Sequence, residues 1–207
     1  MPDRVRRPLV GAAVSAIFTL FAYLLARKSG AAWWDERILE ILAGRLDRHP
    51  YAENAHDLRT VFDVGPYILI VLVLLASVLW RGAAALAALA GGMLLAANLS
   101  TWALQHRLGD PRVVQILNEP PWMSYWPSGH TTAPFALAIA VWLVSTPRWR
   151  PFVAVVGLLV ACAAAMTNLV IRAHVPSDLV GGLGVALTWG FLAYAAQQMW
   201  PRELSPR

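Results

Sequence analysis

Two short strings in this 207-residue chain combine residues that do chemistry with residues that shape a backbone around an anion. The first is Pro127, Ser128, Gly129, His130, followed at once by Thr131, Thr132 and an apolar run. Proline suits the start of a helix, serine caps it, glycine lets a ligand approach the backbone, and the free N–H groups of the first turn then point at an anion. The string reads as a phosphate cradle. The second is His174, Val175, Pro176, Ser177, Asp178, again ahead of an apolar run. Pro176 opens that helix, and Asp178 is near enough to accept a hydrogen bond from one ring nitrogen of His174, which fixes the tautomer and strengthens the other nitrogen as a nucleophile. Taken singly, each feature has a plain structural explanation, since an acid four residues after a histidine is often only a helix-start cap. Their joint occurrence points to chemistry.

Composition sets the elements that must hold these strings. Hydrophobic residues make up 58% of the chain and charged residues 14%, against roughly 25% charge in an ordinary soluble domain. With a mean hydropathy of +0.53, a water-soluble globule and a disordered chain are both excluded, and a bilayer is the solvent the sequence requires. The single cysteine, Cys162, lies inside an apolar run, so neither a disulfide framework nor a cysteine-based zinc site forms within one chain. The 17 basic residues behind the net charge of +5 are scattered at the ends of apolar segments and form no continuous patch, which argues against nucleic acid as a partner.

Crossing about 30 Å of hydrocarbon takes roughly 20 apolar residues. Six segments approach that length: 9–26, 61–80, 83–104, 131–146, 152–171 and 179–200. The expectation is an all-α fold, a single membrane-embedded domain of six transmembrane helices spanning 1–207. The first segment follows Arg4, Arg6 and Arg7, but its apolar run exceeds the ~7 to 15 residues of a signal peptide and no small-x-small site follows, so it is read as a retained helix. Six crossings put both termini on one side, which then collects Arg4, Arg6, Arg7, Arg81, Arg148, Arg150, Arg202 and Arg207 and is expected to be cytoplasmic. The expected setting is the cytoplasmic membrane of a bacterium, with both strings facing the extracytoplasmic side. Between the first two segments, Asp35 to Arg48 carries Ile38, Leu39, Leu42 and Leu46 on one helical face. It reads equally as a helix lying along the outer membrane surface or as one packed on the bundle. His49, His56 and His106 are read as surface or interfacial, and Trp122, Tyr125 and Trp126 either as belt residues or as the lining of a lipid's path.

The arrangement resembles the type-2 phosphatidic acid phosphatase superfamily, whose motifs run Lys-x6-Arg-Pro, then Pro-Ser-Gly-His, then Ser-Arg-x5-His-x3-Asp. The second motif is complete at Pro127 to His130. The third aligns as Thr167, Asn168, five residues, His174, three residues, Asp178, so the histidine and acid match while Ser-Arg becomes Thr-Asn. In the first, Arg112 matches, Gln105 replaces the lysine and Val113 replaces the proline. The resemblance extends to the six-helix plan, with motifs after the third helix, at the start of the fourth and after the fifth.

What the resemblance implies is a lipid phosphate phosphatase without metal or cofactor. His174 would attack phosphorus to give a phosphohistidine, Asp178 would orient it, and His130 would protonate the departing alkoxide before activating water. Arg112, Ser128 and Gly129 would hold the phosphoryl oxygens, with Gln105 and Asn168 at the positions of two family cations that this chain lacks. Phosphoryl transfer depends mainly on positioning and charge stabilisation, so replacement charges are expected nearby. If the helix continues from Asn168 to Arg172, Arg172 lies one turn on along the same face and its guanidinium reaches the vacant position. Arg107, only two residues after Gln105, would face the opposite side of its helix and reads as readily as a headgroup anchor.

Competing readings share the same residues. A related membrane transferase would pass a phospho-headgroup to a lipid alcohol, and a degenerate relative would bind lipid phosphate without chemistry. A metal hydrolase would use His130, His174 and Asp178 as ligands, although a helix start with nearby arginines suits a bare phosphate better than a cation. The substrate is expected to be a membrane lipid phosphate held at the bilayer surface.

Overall fold

In a computed structural model, residues 2–27, 32–46, 50–108, 112–114 and 122–200 are described. Among the described residues, eight helices occur in the order α1 (Asp3–Arg27), α2 (Ala32–Leu46), α3 (Pro50–Thr60), α4 (Val64–Trp80), α5 (Ala84–Leu108), α6 (Gly129–Val144), α7 (Arg150–Val170) and α8 (Pro176–Met199). Between α5 and α6 a small antiparallel pair, β1 (Arg112–Val114) and β2 (Trp122–Ser124), brings Arg112 opposite Ser124.

Each of the six apolar segments forms a helix. Four of them, α1, α5, α7 and α8, are long and apolar enough to cross a membrane, whereas α4 and α6 are shorter apolar helices of 17 and 16 residues. At 1.5 Å per residue the shorter pair extends only about 24–26 Å. Large hydrophobic side chains point outward along the outer helices, Ile17 and Phe18 on α1, Leu69 and Val73 on α4, Leu158 and Leu159 on α7. Stripes of this kind are tolerable where the surroundings are hydrocarbon and would aggregate the chain in water. The protein is an integral membrane protein.

The interior is built around α6. Its Ala136, Ala140 and Leu143 are fully buried among Ala90 and Leu94 of α5, Ala161 and Ala165 of α7 and Ala186 of α8. Small residues let backbones approach where no hydrophobic drive separates helix from lipid. Gly182 is the tightest case that bears on the site. A Cβ there would lie 2.6 Å from the Ser128 carbonyl oxygen and 3.0 Å from Thr131 Cβ, so the position admits only glycine while α8 touches the start of α6.

The amphipathic stretch packs on the bundle. Leu39 of α2 is buried against Leu169 and Val175, with Leu42 and Leu179 at the edge, and Asp35 accepts hydrogen bonds from the backbone N–H (2.9 Å) and hydroxyl (2.6 Å) of Ser177. A carboxylate over the first turn of α8 is favoured by the free N–H groups there. Helix α2 thus covers the loop that carries His174. Helix α3 and the hairpin were not among the elements expected from the apolar pattern, being too polar or too short to give one.

Candidate active site

The loop before α8 begins where α7 ends. Its helical hydrogen bonding closes with Ala173 N–H donating to the Asn168 carbonyl (2.8 Å) and Arg172 N–H to that of Leu169 (3.1 Å), with Arg172 in the left-handed region at φ 56°. This is the pairing of a Schellman closure, with arginine at the position glycine usually takes. The helical continuation from Asn168 to Arg172 is therefore not found: the chain turns at Ile171, and the same-face argument for Arg172 loses its premise. The turn serves another end. It aims the backbone so that His174 N–H also donates to the Asn168 carbonyl (3.2 Å) and the imidazole lies beside α8.

His174 Nδ1–H donates to Asp178 Oδ2 at 3.1 Å, with side-chain exposures of 11% and 0%. The same carboxylate oxygen accepts from the Val175 N–H at 3.3 Å and from the Ser124 hydroxyl. The Val175 contact is the side-chain half of a capping box, satisfying a backbone donor that the helix leaves free. Asp178 is thus fixed from three sides, and fixing Nδ1 as the protonated nitrogen leaves Nε2 of His174 with its lone pair.

The cradle docks on the same residue. Ser128 N–H donates to the Asp178 carbonyl (3.0 Å), and the Ser128 carbonyl accepts from Thr131 N–H (3.3 Å) and Thr132 N–H (3.0 Å). The serine side chain does not cap α6 as expected; its hydroxyl accepts instead from Thr131 Oγ1 at 3.1 Å. Thr132 Oγ1 donates toward the Gly182 carbonyl (3.3 Å), and Thr101 of α5 donates to Thr132 Oγ1 at 2.9 Å, so three helices are stitched at one point. A Cβ on Gly129 would meet only Thr101 Cγ2 at 4.0 Å. Protein packing does not demand this glycine, and the space beside it belongs to a cavity.

That cavity, about 700 Å³, is lined at its polar end by Asp63, Gln105, Gly129, His130 and His174 and continues between α4, α5 and α6 past Ile68, Leu72 and Leu95. Both imidazoles and the glycine of the cradle therefore share one space. Gln105 Nε2 donates to the Pro127 carbonyl at 2.7 Å, tying the cradle to α5. Asn168 is fully buried away from the cavity lining, and its amide nitrogen donates to the carbonyls of Ala164 and Ala165 (3.2 and 3.3 Å). Its Oδ1 has no hydrogen-bond partner among the described residues, so Asn168 presents no donor toward an anion and its substrate-binding assignment gives way to a role in the helix end. The backbone of Arg112 pairs with that of Ser124, whose hydroxyl reaches Asp178, and the Arg112 side chain lies outside the described residues.

Three residues escaped sequence reasoning. Ser124 ends β2 and belongs to none of the motifs. Asp63 stands at the N-cap of α4 yet makes no capping bond; its Oδ1 accepts from His130 Nε2 at 3.0 Å. An acid at the head of an apolar run was the available signal, and it reads first as a cap. Arg59, in the last turn of α3, has a buried Nε without a hydrogen-bond partner among the described residues, and its charge acts on the His130 ring. Elsewhere, Trp126 is 5% exposed, with its ring 4.9 Å from that of Tyr23 on α1 and close to Gly181 on α8. His106 is exposed, stacked at 4.3 Å on Trp102. His49 and the side chain of His56 lie outside the described residues.

Residues 109–202 match the family described as PAP2 superfamily. In overall fold the chain is similar to the crystal structure of the first transmembrane PAP2 type phosphatidylglycerolphosphate phosphatase from Bacillus subtilis, with a TM-score of 0.79 at 14% identity, over 93% of this chain and 98% of that one. No curated protein matches the sequence. The matched span, residues 109–202, holds both histidines, Asp178 and the cradle, so the similarity to the PAP2 superfamily falls on the part of the chain that builds the site, within an overall fold similar to that of a transmembrane PAP2 type phosphatase.

Proposed function

We propose that the protein is a lipid phosphate phosphatase that hydrolyses a phosphomonoester or diphosphate of a membrane lipid through a phosphohistidine on His174. The observation that carries this reading is the shared cavity: two imidazoles and the cradle glycine at its polar end, and an apolar channel between α4, α5 and α6 leading away from them. A soluble phosphate ester has no use for the channel, whereas a phospholipid fills both parts.

In the proposed reaction, Nε2 of His174 attacks phosphorus, the P–O bond to the lipid breaks, and His130 gives its proton to the departing oxygen. Water then attacks the phosphohistidine as His130 takes its proton back, restoring both rings. The backbone N–H groups at the head of α6, with Ser128, Gly129 and Arg112, hold the phosphoryl oxygens. Gln105 supports the cradle from α5. Arg59 supplies a cation missing from the motifs, its unpaired buried nitrogen being a donor for which an anion is the natural partner, and Arg172 belongs to the turn that leads into His174. The site is read as facing the extracytoplasmic side.

The test is release of phosphate from lipid monophosphates and diphosphates in mixed micelles, phosphatidylglycerolphosphate and phosphatidic acid among them, by the wild type and by His174→Ala. Hydrolysis that vanishes in the variant supports the reading. Movement of a headgroup to an added lipid alcohol with no free phosphate replaces it with the transferase, and binding without turnover in either protein replaces it with a lipid-binding relative.

A further inference from the structure

The corner between α3 and α4 lies outside the matched segment and carries no motif residue, yet it supplies the contact partner of His130. We infer that Asp63 is a positioning residue for the acid–base step: its carboxylate holds Nε2–H of His130 and leaves Nδ1 as the nitrogen that exchanges the proton. The inference rests on the hydrolase reading and adds to it a second histidine–carboxylate pair.

Three observations carry it. The distance of 3.0 Å between His130 Nε2 and Asp63 Oδ1 fixes the donor, because a carboxylate only accepts. Asp63 also stands where aspartate commonly caps a helix, its backbone extended at φ −66° and ψ 158°, but the capping bond is absent. An N-cap aspartate stabilises its helix when it caps; here the carboxylate is turned to the imidazole instead. Finally, both side chains border the cavity that holds Gly129 and His174, so the pair lies at the reaction space.

The surroundings give the carboxylate work to do. Burial disfavours an imidazolium at His130, the bond to Asp63 favours it, and the nearby Arg59 charge disfavours it further. A ring that must be charged when the lipid oxygen departs needs a compensating anion, and Asp63 is the one bonded to it. The proton balance is closed. During transfer the bond from phosphorus to His174 forms, that to the lipid oxygen breaks, and the proton on His130 Nδ1 goes to that oxygen; in the second half the water oxygen bonds to phosphorus, the bond to His174 breaks, and a proton of that water returns to Nδ1. Asp63 stays ionised throughout.

A leaving-group comparison tests this. Phosphatidic acid releases an alkoxide that needs a proton, whereas p-nitrophenyl phosphate releases a phenolate that does not. With Asp63→Asn, kcat on phosphatidic acid is expected to fall on the order of 10²-fold, the usual contribution of general acid catalysis, and the fall on the aryl ester to be at least tenfold smaller. Asp63→Glu should recover much of the phosphatidic acid rate. Equal losses on the two substrates, whether from misfolding or from a purely structural role, overturn the inference, as does an unchanged rate on phosphatidic acid. A wild-type protein that releases phosphate from neither substrate refutes the hydrolase reading itself.

Discussion

Two histidines face the cavity, each bonded to a carboxylate, and the corners that hold them are built differently. At the α7–α8 corner the acid is four residues from its histidine, and the carboxylate is fully buried with a backbone N–H and a serine hydroxyl as further donors. At the α3–α4 corner the acid is 67 residues away in sequence, and the side chains are 26% and 48% exposed. Burial makes a broken contact expensive, because the remaining group stays desolvated and unpaired, while a half-exposed pair is screened and its loss is softened by water. The proposed roles divide along the same line. An attacking nitrogen must be aimed with its lone pair forward, which calls for rigid support; an acid that gives up a proton and recovers it from water works at the wetter corner.

The largest effect should follow from the rigid side. Asp178→Asn keeps the size of the side chain but lets the amide donate, so Nδ1 of His174 is no longer held protonated and the attacking nitrogen is held in the wrong tautomer. Turnover of a lipid monophosphate is expected to fall by about 10³- to 10⁴-fold, as in catalytic triads whose acid is neutralised. The same change strands donors from Val175 and Ser124, so the melting temperature in detergent should drop as well. A loss smaller than that of Asp63→Asn would reverse the ranking of the two corners.

What was legible in the sequence follows the same division. The α7–α8 pair lies within one helical turn, so spacing alone brings His174 and Asp178 together, and the hydrogen bond at 3.1 Å matches that expectation. The six apolar segments are legible because a bilayer imposes length and polarity on every crossing. The α3–α4 partner was not, because no local pattern distinguishes an aspartate that will cap its own helix from one that will reach across the bundle. Arg172 shows the opposite failure: helical periodicity extended too far, past a closure that depends on a left-handed residue no propensity would favour in arginine. Asn168 aligned with a cation of the family pattern, and the structure turns it inward to its own helix.

Arg59 offers a smaller effect at the open corner. If it supplies charge to the phosphoryl group, Arg59→Gln should weaken competitive inhibition by inorganic phosphate about tenfold, roughly 1.4 kcal/mol, in keeping with the worth of a hydrogen bond to a charged group. The change also relieves positive charge at His130, so kcat should fall less than the affinity for phosphate. An inhibition constant equal to the wild type's would remove Arg59 from the anion site and leave Arg112 and the helix start to hold it.

The smallest effects separate the cradle's two glycine neighbours, and they do so by splitting stability from activity. Gly182→Ala puts a methyl 2.6 Å from the Ser128 carbonyl, backbone against backbone, where no side-chain rotation relieves the clash. The helices must part, at a cost of about 1–3 kcal/mol, and a lower melting temperature with a modest loss of turnover is expected. Gly129→Ala adds a methyl that meets protein only at 4.0 Å and otherwise projects into the cavity. Its melting temperature should stay at the wild-type value, while KM for a lipid phosphate rises because the methyl occupies space meant for a phosphoryl oxygen. Should Gly129→Ala instead lower the melting temperature and spare KM, the space beside it would be a packing void, and the argument that both histidines look onto a substrate would lose its plainest geometric support.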